Sequence, residues 1–378
     1  MKQSTQKILT THVGSLPRLA DLGRMLEAQG HGEQIEGELF EAQVRDGVKA
    51  IVQQQAACGL DIVNDGEMSK VSYNLYVKDR LTGFEGQSKR EALPLADMVD
   101  FPEYAEHYMS QNGWGMYARP SCNGPVSYKG MAALERDCAN LKAAVQEAHA
   151  SEAFMTAASP GLIARGMENH YYPTHEAYLF ALADAMKVEY DTIYRAGFIL
   201  QLDCPDLSRC HLIKGEQENM DYLALHIEAL NYGVRDIPSE RMRLHVCWGN
   251  YEGPHHKDRP LRDMIETLLR ARPAGLSFEA ANPRHEHEWN VFEDLKLPEG
   301  KVLFPGVLDT TTNFIEHPEL VAQRIVRFAS LVGRENVIAS SDCGFSTFVG
   351  ALTVEPHIAW AKLGAMVEGA QIASRQLW

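Results

Sequence analysis

The stretch RLHVCWGN, residues 243–250, places His245 and Cys247 two positions apart at the end of an apolar run. If that run is a strand, side chains at i and i+2 share a face, so an imidazole and a thiol enter one site while Val246 turns away. Other apolar runs also end on metal-capable or ionisable residues. These are Ser15 in THVGSLPR, Glu67 in VNDGE, Asp203 in LQLDCP, Glu279 in SFEAANPR, Asp309 in PGVLD, and Asp342 with Cys343 in SSDCGF. His245, Cys247, Glu279 and Cys343 make a nitrogen, two-sulfur and carboxylate donor set of the kind that holds Zn²⁺ with one exchangeable position. Two thiolates and a carboxylate bring the ion to a formal charge of about −1. Such a site is poor at activating water and suited to keeping a bound thiolate nucleophilic. By spacing alone, the plainer reading of His-x-Cys outweighs this one: a hydrogen-bonded histidine beside a small buried cysteine. HEHE at 285–288 reads as a solvated loop, His255 and His256 as surface residues, and Cys58, Cys138 and Cys210 as structural thiols.

The elements that must position these residues alternate along the chain. Eight β-rich runs, KILTTHVG, LDIVNDG, EAFMTAAS, GFILQLD, RMRLHVC, AGLSFEA, KVLFPGV and NVIASSD, are separated by amphipathic stretches that predict helices near 38–57, 175–196, 219–231, 260–271 and 317–333. That is the pattern of parallel βα units. The expected architecture is a (β/α)₈ TIM barrel spanning residues 1–378 as a single domain, with a doubly wound open sheet as the alternative. The extended piece at 116–127, surplus to eight strands, is assigned to an excursion around residues 83–127. No linker or internal repeat divides the chain. In a barrel the chemistry collects at the C-terminal ends of the strands, where the candidate residues fall, and sequence spacing ceases to matter.

Composition narrows the partners. With 51 acidic and 36 basic residues the formal charge is −15, which repels nucleic acid and anionic membrane surfaces alike. No segment approaches about 18 consecutive apolar residues and the N-terminus lacks a secretory pattern, so the protein is read as cytoplasmic. Seven scattered cysteines fit reduced thiols, free to act as metal ligands. The expected partners are small molecules, and a homo-oligomer is compatible with everything above.

Taken in order, THVGSLPR, VNDGE, LQLDCP, HVC, SFEAANPR, PGVLD and SDCG resemble the cobalamin-independent methionine synthase family, from about residue 8 to the C-terminus. The resemblance implies a zinc ion held by His245, Cys247, Glu279 and Cys343, a homocysteine thiol bound to it as thiolate, and a methyl donor that this thiolate attacks. It further implies Ser15 at the homocysteine carboxylate, and Glu67 and Asp203 at its ammonium. Glutamate, the hardest donor, is the ligand the incoming sulfur would displace.

Three positions depart from the family pattern. The region SPGLIARGMENHYYP has no folate-stacking tryptophan; Gly166 falls near its place, with Tyr171 and Tyr172 beyond. Thr311 stands where a histidine usually follows PGVLD, and His317 reads as a helix-start residue. Cys204 replaces a glutamate and is expected to pack against a helix while Asp203 faces the pocket. Length points to the short, single-barrel branch, whose methyl donors vary. The alternatives are thiol alkylation of the epoxyalkane:coenzyme M transferase kind, a zinc hydrolase, and a zinc- or thiol-binding protein without turnover.

Overall fold

The computed structural model describes residues 1–88, 95–112, 117, 119–208, 216–351 and 353–378. Among the described residues there are ten strands, in chain order: β1 (Leu9–Thr10), β2 (Ile62–Val63), β3 (Gly86–Gln87), β4 (Pro120–Ser121), β5 (Glu152–Ala158), β6 (Ile199–Asp203), β7 (Met242–Val246), β8 (Gly275–Phe278), β9 (Val302–Leu308) and β10 (Ile338–Ser341). Eight of them form one parallel sheet in the order β1-β10-β9-β8-β7-β6-β5-β2. Its two ends meet, because the Asp61 amide donates to the Thr10 carbonyl at 3.1 Å and the Thr11 hydroxyl to the Ile62 carbonyl at 3.1 Å. The result is the expected (β/α)₈ barrel. β3 and β4 pair antiparallel outside it, which places an excursion where the surplus extended piece predicted one.

Alternation within the strands sorts two cores. Leu9, Ile62, Phe154, Ile199, Val302, Phe304 and Ile338 point inward and close the lower end of the barrel as one apolar layer. Residues of opposite parity, such as Val63, Met155, Leu202, Leu244 and Leu303, join the larger core between sheet and helices. Helix Gly37–Cys58 buries Val44, Val48, Ile51, Val52 and Gln55 on one face and stops at Gly59, whose φ of 93° suits glycine. Helix Pro318–Val332 starts as read from sequence, with His317 Nδ1 accepting from the Glu319 amide at 3.2 Å. It packs on the terminal helix Pro356–Leu377, where a side chain at Gly369 would meet Val321 Cβ at 2.5 Å. The helix expected over 260–271 is instead two short turns, Leu261–Asp263 and Ile265–Leu268, separated at Met264, whose φ of −119° departs from helical geometry although Leu261, Ile265 and Leu268 are buried at helical spacing.

One layer above the apolar floor the interior turns polar. His12 is fully buried, its Nε2 against Gln55 Oε1 at 2.8 Å and its Nδ1 accepting from the Gly14 amide at 3.2 Å, which makes it the neutral Nε2–H tautomer. Burial lowers its pKa from 6.5 to about 3. An imidazole that stays neutral when folded contributes stability above its unfolded value, and this is lost as pH falls from 6.5 toward 3. His12→Gln is therefore expected to flatten the acid limb of the stability curve by up to about 1.4 kcal/mol per pH unit. Urea unfolding of both forms at several pH values would show it; parallel curves would contradict it.

Candidate active site at the barrel mouth

β6, β7 and β8 run in register, Asp203 beside His245 and His245 beside Ser277, so three strand ends deliver side chains to one place. His245 is buried, with Nδ1 3.2 Å from Ser277 Oγ. Its Nε2 is also buried and has no hydrogen-bond partner. Burial lowers this imidazole's pKa to about 3, so it is neutral with a free lone pair. Cys247 follows on the same face, and Cys343 arrives from the β10 end, where a register irregularity between Ser340 and Ser341 re-aims the chain. The two sulfurs are 3.5 Å apart, and the ligand atoms of His245, Cys247 and Cys343 all lie within 4.8 Å of one another. An orphaned imidazole nitrogen facing two buried thiols fits a soft divalent cation such as Zn²⁺.

Glu279 is adjacent to this trio but oriented by other partners. Its Oε1 accepts from the Trp248 amide at 2.7 Å and its Oε2 from Asn282 Nδ2 at 2.9 Å. Burial, then the proximity of Cys247, raises its pKa well above the carboxylate range. Three of the four sequence-predicted ligands thus converge, with the fourth next to them.

Asp342 anchors the Glu279 loop. Its carboxylate accepts from the amides of Ala280, Ala281 and Asn282 at 2.8–2.9 Å, and burial, then Asp309, raises its pKa to about 7. Ser341 Oγ holds the Cys343 carbonyl at 2.7 Å. The Gly249 amide donates to Cys247 Sγ at 3.2 Å.

Ser15, Glu67 and Asp203 come to the same mouth. Ser15 Oγ lies against Gly344, where a Cβ would approach it to 2.0 Å, so this glycine admits the hydroxyl beside Cys343. Glu67 has φ 59°, rare for a residue with a side chain, and its Oε1 accepts from Thr156 Oγ1 at 2.8 Å. Glu67 Oε2 is buried without a hydrogen bond, its nearest cation being Arg18 at 4.0 Å. Burial, then the Glu67 charge, raises the Asp203 carboxyl to about 8. A local Glu67–Lys70 ion pair is not formed, since Lys70 Nζ bonds Thr156 instead. Cys204 lies in the core between sheet and helices, as its strand parity required.

Sequence reading missed several of these partners. Thr156 and Gln201 sit two residues before strand ends and Arg243 three, all on inward positions, and their signal was polarity inside otherwise apolar strands. His285 and Glu288 are buried rather than solvated. Their ring-to-carboxylate bond of 2.8 Å, and the His285–Asp258 contact of 3.2 Å, let His285 pack against Trp248, while His287 is exposed. His255 is likewise half-buried, 2.6 Å from Asp258, while His256 is exposed. Thr311 serves its own loop, donating to Asp309 Oδ1 at 2.8 Å. Tyr172 is tied to the Val126 amide and stacks on Tyr178, Tyr171 is exposed, and Gly166 borders a small cleft with Asn74, Leu162 and Met167. Cys138 is buried in the core and Cys58 half-buried; Cys210 lies outside the described residues. Among the described residues no helix is long and apolar enough to cross a membrane.

Residues 172–372 match the family model described as cobalamin-independent synthase, catalytic domain. The chain is similar to the methionine synthase of Thermococcus kodakarensis, 25% identical over 97% of this chain and 94% of that one. It is 24% identical to the methionine synthase of Saccharolobus solfataricus, over 97% and 95%. A B12-independent methionine synthase from Shewanella sp. W3-18-1, solved in complex with selenomethionine, shares the fold with TM-score 0.77, 20% identity and coverage of 98% and 99%. A putative vitamin B12-independent methionine synthase from Listeria monocytogenes does so with TM-score 0.66, 18% identity and coverage of 98% and 99%. A barrel with a His/Cys/Cys cluster at its mouth and a family model covering its second half together mean that this chain belongs to the cobalamin-independent methionine synthase family of methyl-transferring enzymes.

Proposed function

We propose that residues 1–378 act as one catalytic barrel that transfers a methyl group to the thiol of homocysteine, with Zn²⁺ held by His245, Cys247, Cys343 and Glu279. The observation that carries the reading is the buried His245, whose Nε2 has no hydrogen-bond partner and whose ligand atom lies with the sulfurs of Cys247 and Cys343 inside 4.8 Å. Zinc in that place would make a substrate thiol available as thiolate at neutral pH, and its anionic ligands would preserve the sulfur's nucleophilicity.

The chain's own residues do the rest. Ser277 holds the His245 ring so that Nε2 is the free nitrogen. The Trp248 amide and Asn282 hold Glu279, whose displacement by an incoming sulfur would cost only an oxygen ligand. Glu67 and Asp203, two buried carboxyl groups with no ion pair closer than 4.0 Å among the described residues, would take the ammonium, with Ser15 at the carboxylate. The same two carboxylates would repel the sulfonate of coenzyme M, and two thiolate ligands would weaken zinc as an activator of water, which disfavours both alternative chemistries.

Zinc K-edge absorption on purified protein, after counting metal per chain, tests the reading. A shell of two sulfurs and two nitrogen or oxygen donors that gains a sulfur on adding homocysteine is expected. A shell indifferent to the thiol would overturn it.

A further inference from the structure

Behind each carboxylate of the candidate amino-acid pocket stands a neutral side chain, and behind that a buried cation. Lys70 Nζ reaches Thr156 Oγ1 at 3.0 Å and the Thr156 carbonyl at 2.7 Å, and Thr156 Oγ1 lies 2.8 Å from Glu67 Oε1. Arg243 Nε reaches Gln201 Oε1 at 2.6 Å, and Gln201 Nε2 lies 2.7 Å from Asp203 Oδ1 and also bonds the Val13 carbonyl. Lys70, Thr156, Gln201 and Arg243 are all buried.

The directions of these bonds are forced. Ammonium and guanidinium groups only donate, so Thr156 Oγ1 must accept from Lys70 and has its single hydrogen left for Glu67. By the same rule the amide oxygen of Gln201 faces Arg243 and its NH₂ faces Asp203. One oxygen of each carboxylate is thereby occupied by a donor that cannot reverse. Glu67 Oε2 is left buried without a hydrogen bond, with Arg18 4.0 Å away, and the Gln201 bond to Asp203 falls on Oδ1 rather than Oδ2. The charge of each cation supports its carboxylate from one residue away, leaving the free oxygens open to another cation.

Further contacts hold the relays in place. The Lys70 ammonium lies 4.4 Å from the centre of the Tyr76 ring, and Tyr76 OH is fixed by Glu189 at 2.5 Å. The Arg243 guanidinium rests on Phe154, 3.5 Å from its centroid. Glu67 itself is kept at φ 59° by Arg18, which donates to its carbonyl at 3.1 Å, and by its own amide bond to Asp65 Oδ1 at 3.1 Å. A non-glycine residue held in that conformation is a sign that its aim matters.

We propose that Lys70–Thr156 and Arg243–Gln201 are a matched pair of positioning relays that turn one free oxygen of Glu67 and one of Asp203 toward the substrate ammonium, and so select amino-acid thiols over plain ones. The proposal rests on the amino-acid pocket described above. It extends that pocket to four residues that do not touch the substrate.

Titration calorimetry of the zinc-loaded protein with L-homocysteine and with 4-mercaptobutanoate, which lacks only the amino group, separates the two ideas. The unmodified protein is expected to favour homocysteine. Thr156→Val and Gln201→Met are each expected to weaken homocysteine by about tenfold or more while leaving 4-mercaptobutanoate within about twofold, and Thr156→Ser is expected to restore the preference. Thermal melting of each variant confirms that it is folded. Equal weakening of both thiols, or none, in folded variants would overturn the relays while leaving the pocket intact. Equal binding of the two thiols by the unmodified protein would instead remove the amino-acid pocket, and the relays with it.

Discussion

Cys343→Ser is expected to leave the purified chain with little of its metal and an unchanged fold. A site of four such ligands binds zinc with roughly 10–16 kcal/mol at neutral pH, so losing one thiolate costs on the order of 3 kcal/mol, or about 100-fold in affinity. The fold survives because Cys343 lies on the loop after β10, outside the hydrophobic clusters, and Ser341 and Asp342 still anchor that loop through the Cys343 carbonyl and the amides of residues 280–282. Cys204→Ala is the control. It removes an equally buried thiol from the core between sheet and helices and is expected to keep the metal. Metal analysis after dialysis against a chelator, with circular dichroism on the same samples, decides the matter. Full retention in Cys343→Ser would remove this cysteine from the ligand set.

Asp203→Asn and Glu67→Gln address the other half of the site. Each replaces a carboxylate that would bond an ammonium by a neutral amide of the same shape. Hydrogen bonds to charged groups contribute about 1.5–3 kcal/mol, so each variant is expected to weaken homocysteine about 10- to 150-fold with zinc still bound. The two carboxyl groups feel each other, since the Glu67 charge helps to push Asp203 up to about 8. Removing either one relieves the other, which softens each single loss, so the double variant is expected to lose more than the product of the single losses. Calorimetric titration of all four forms measures this directly. Loss of metal in Asp203→Asn, or strictly multiplicative effects, would mean that the two carboxylates do not share one ligand.

Alternating apolar runs and helical stripes were enough to read the (β/α)₈ architecture, because their two periods survive in the linear order of residues. The i, i+2 rule likewise put His245 and Cys247 on one face, and their convergence with Cys343 follows from barrel closure. Strand parity also assigned Cys204 to the core and Asp203 to the pocket. The short turns at Leu261–Asp263 and Ile265–Leu268, and the burial of His285 under Trp248, had no such signal. They depend on which loops meet over the barrel, and a histidine next to glutamates looks solvated until Asp258 and Glu288 are brought to both its nitrogens.

The barrel, its strand ends and the residues found there are legible in the linear order of the chain. How those residues are held is set by packing. Glu279 is gripped by the Trp248 amide and Asn282, Glu67 is locked by Thr156 rather than paired with Lys70, and Gln201 stands between Arg243 and Asp203. Hydrogen-bond direction is a property of groups within about 3 Å of each other, and residues 156 and 67, or 243 and 201, become neighbours only when their strands pair in the sheet.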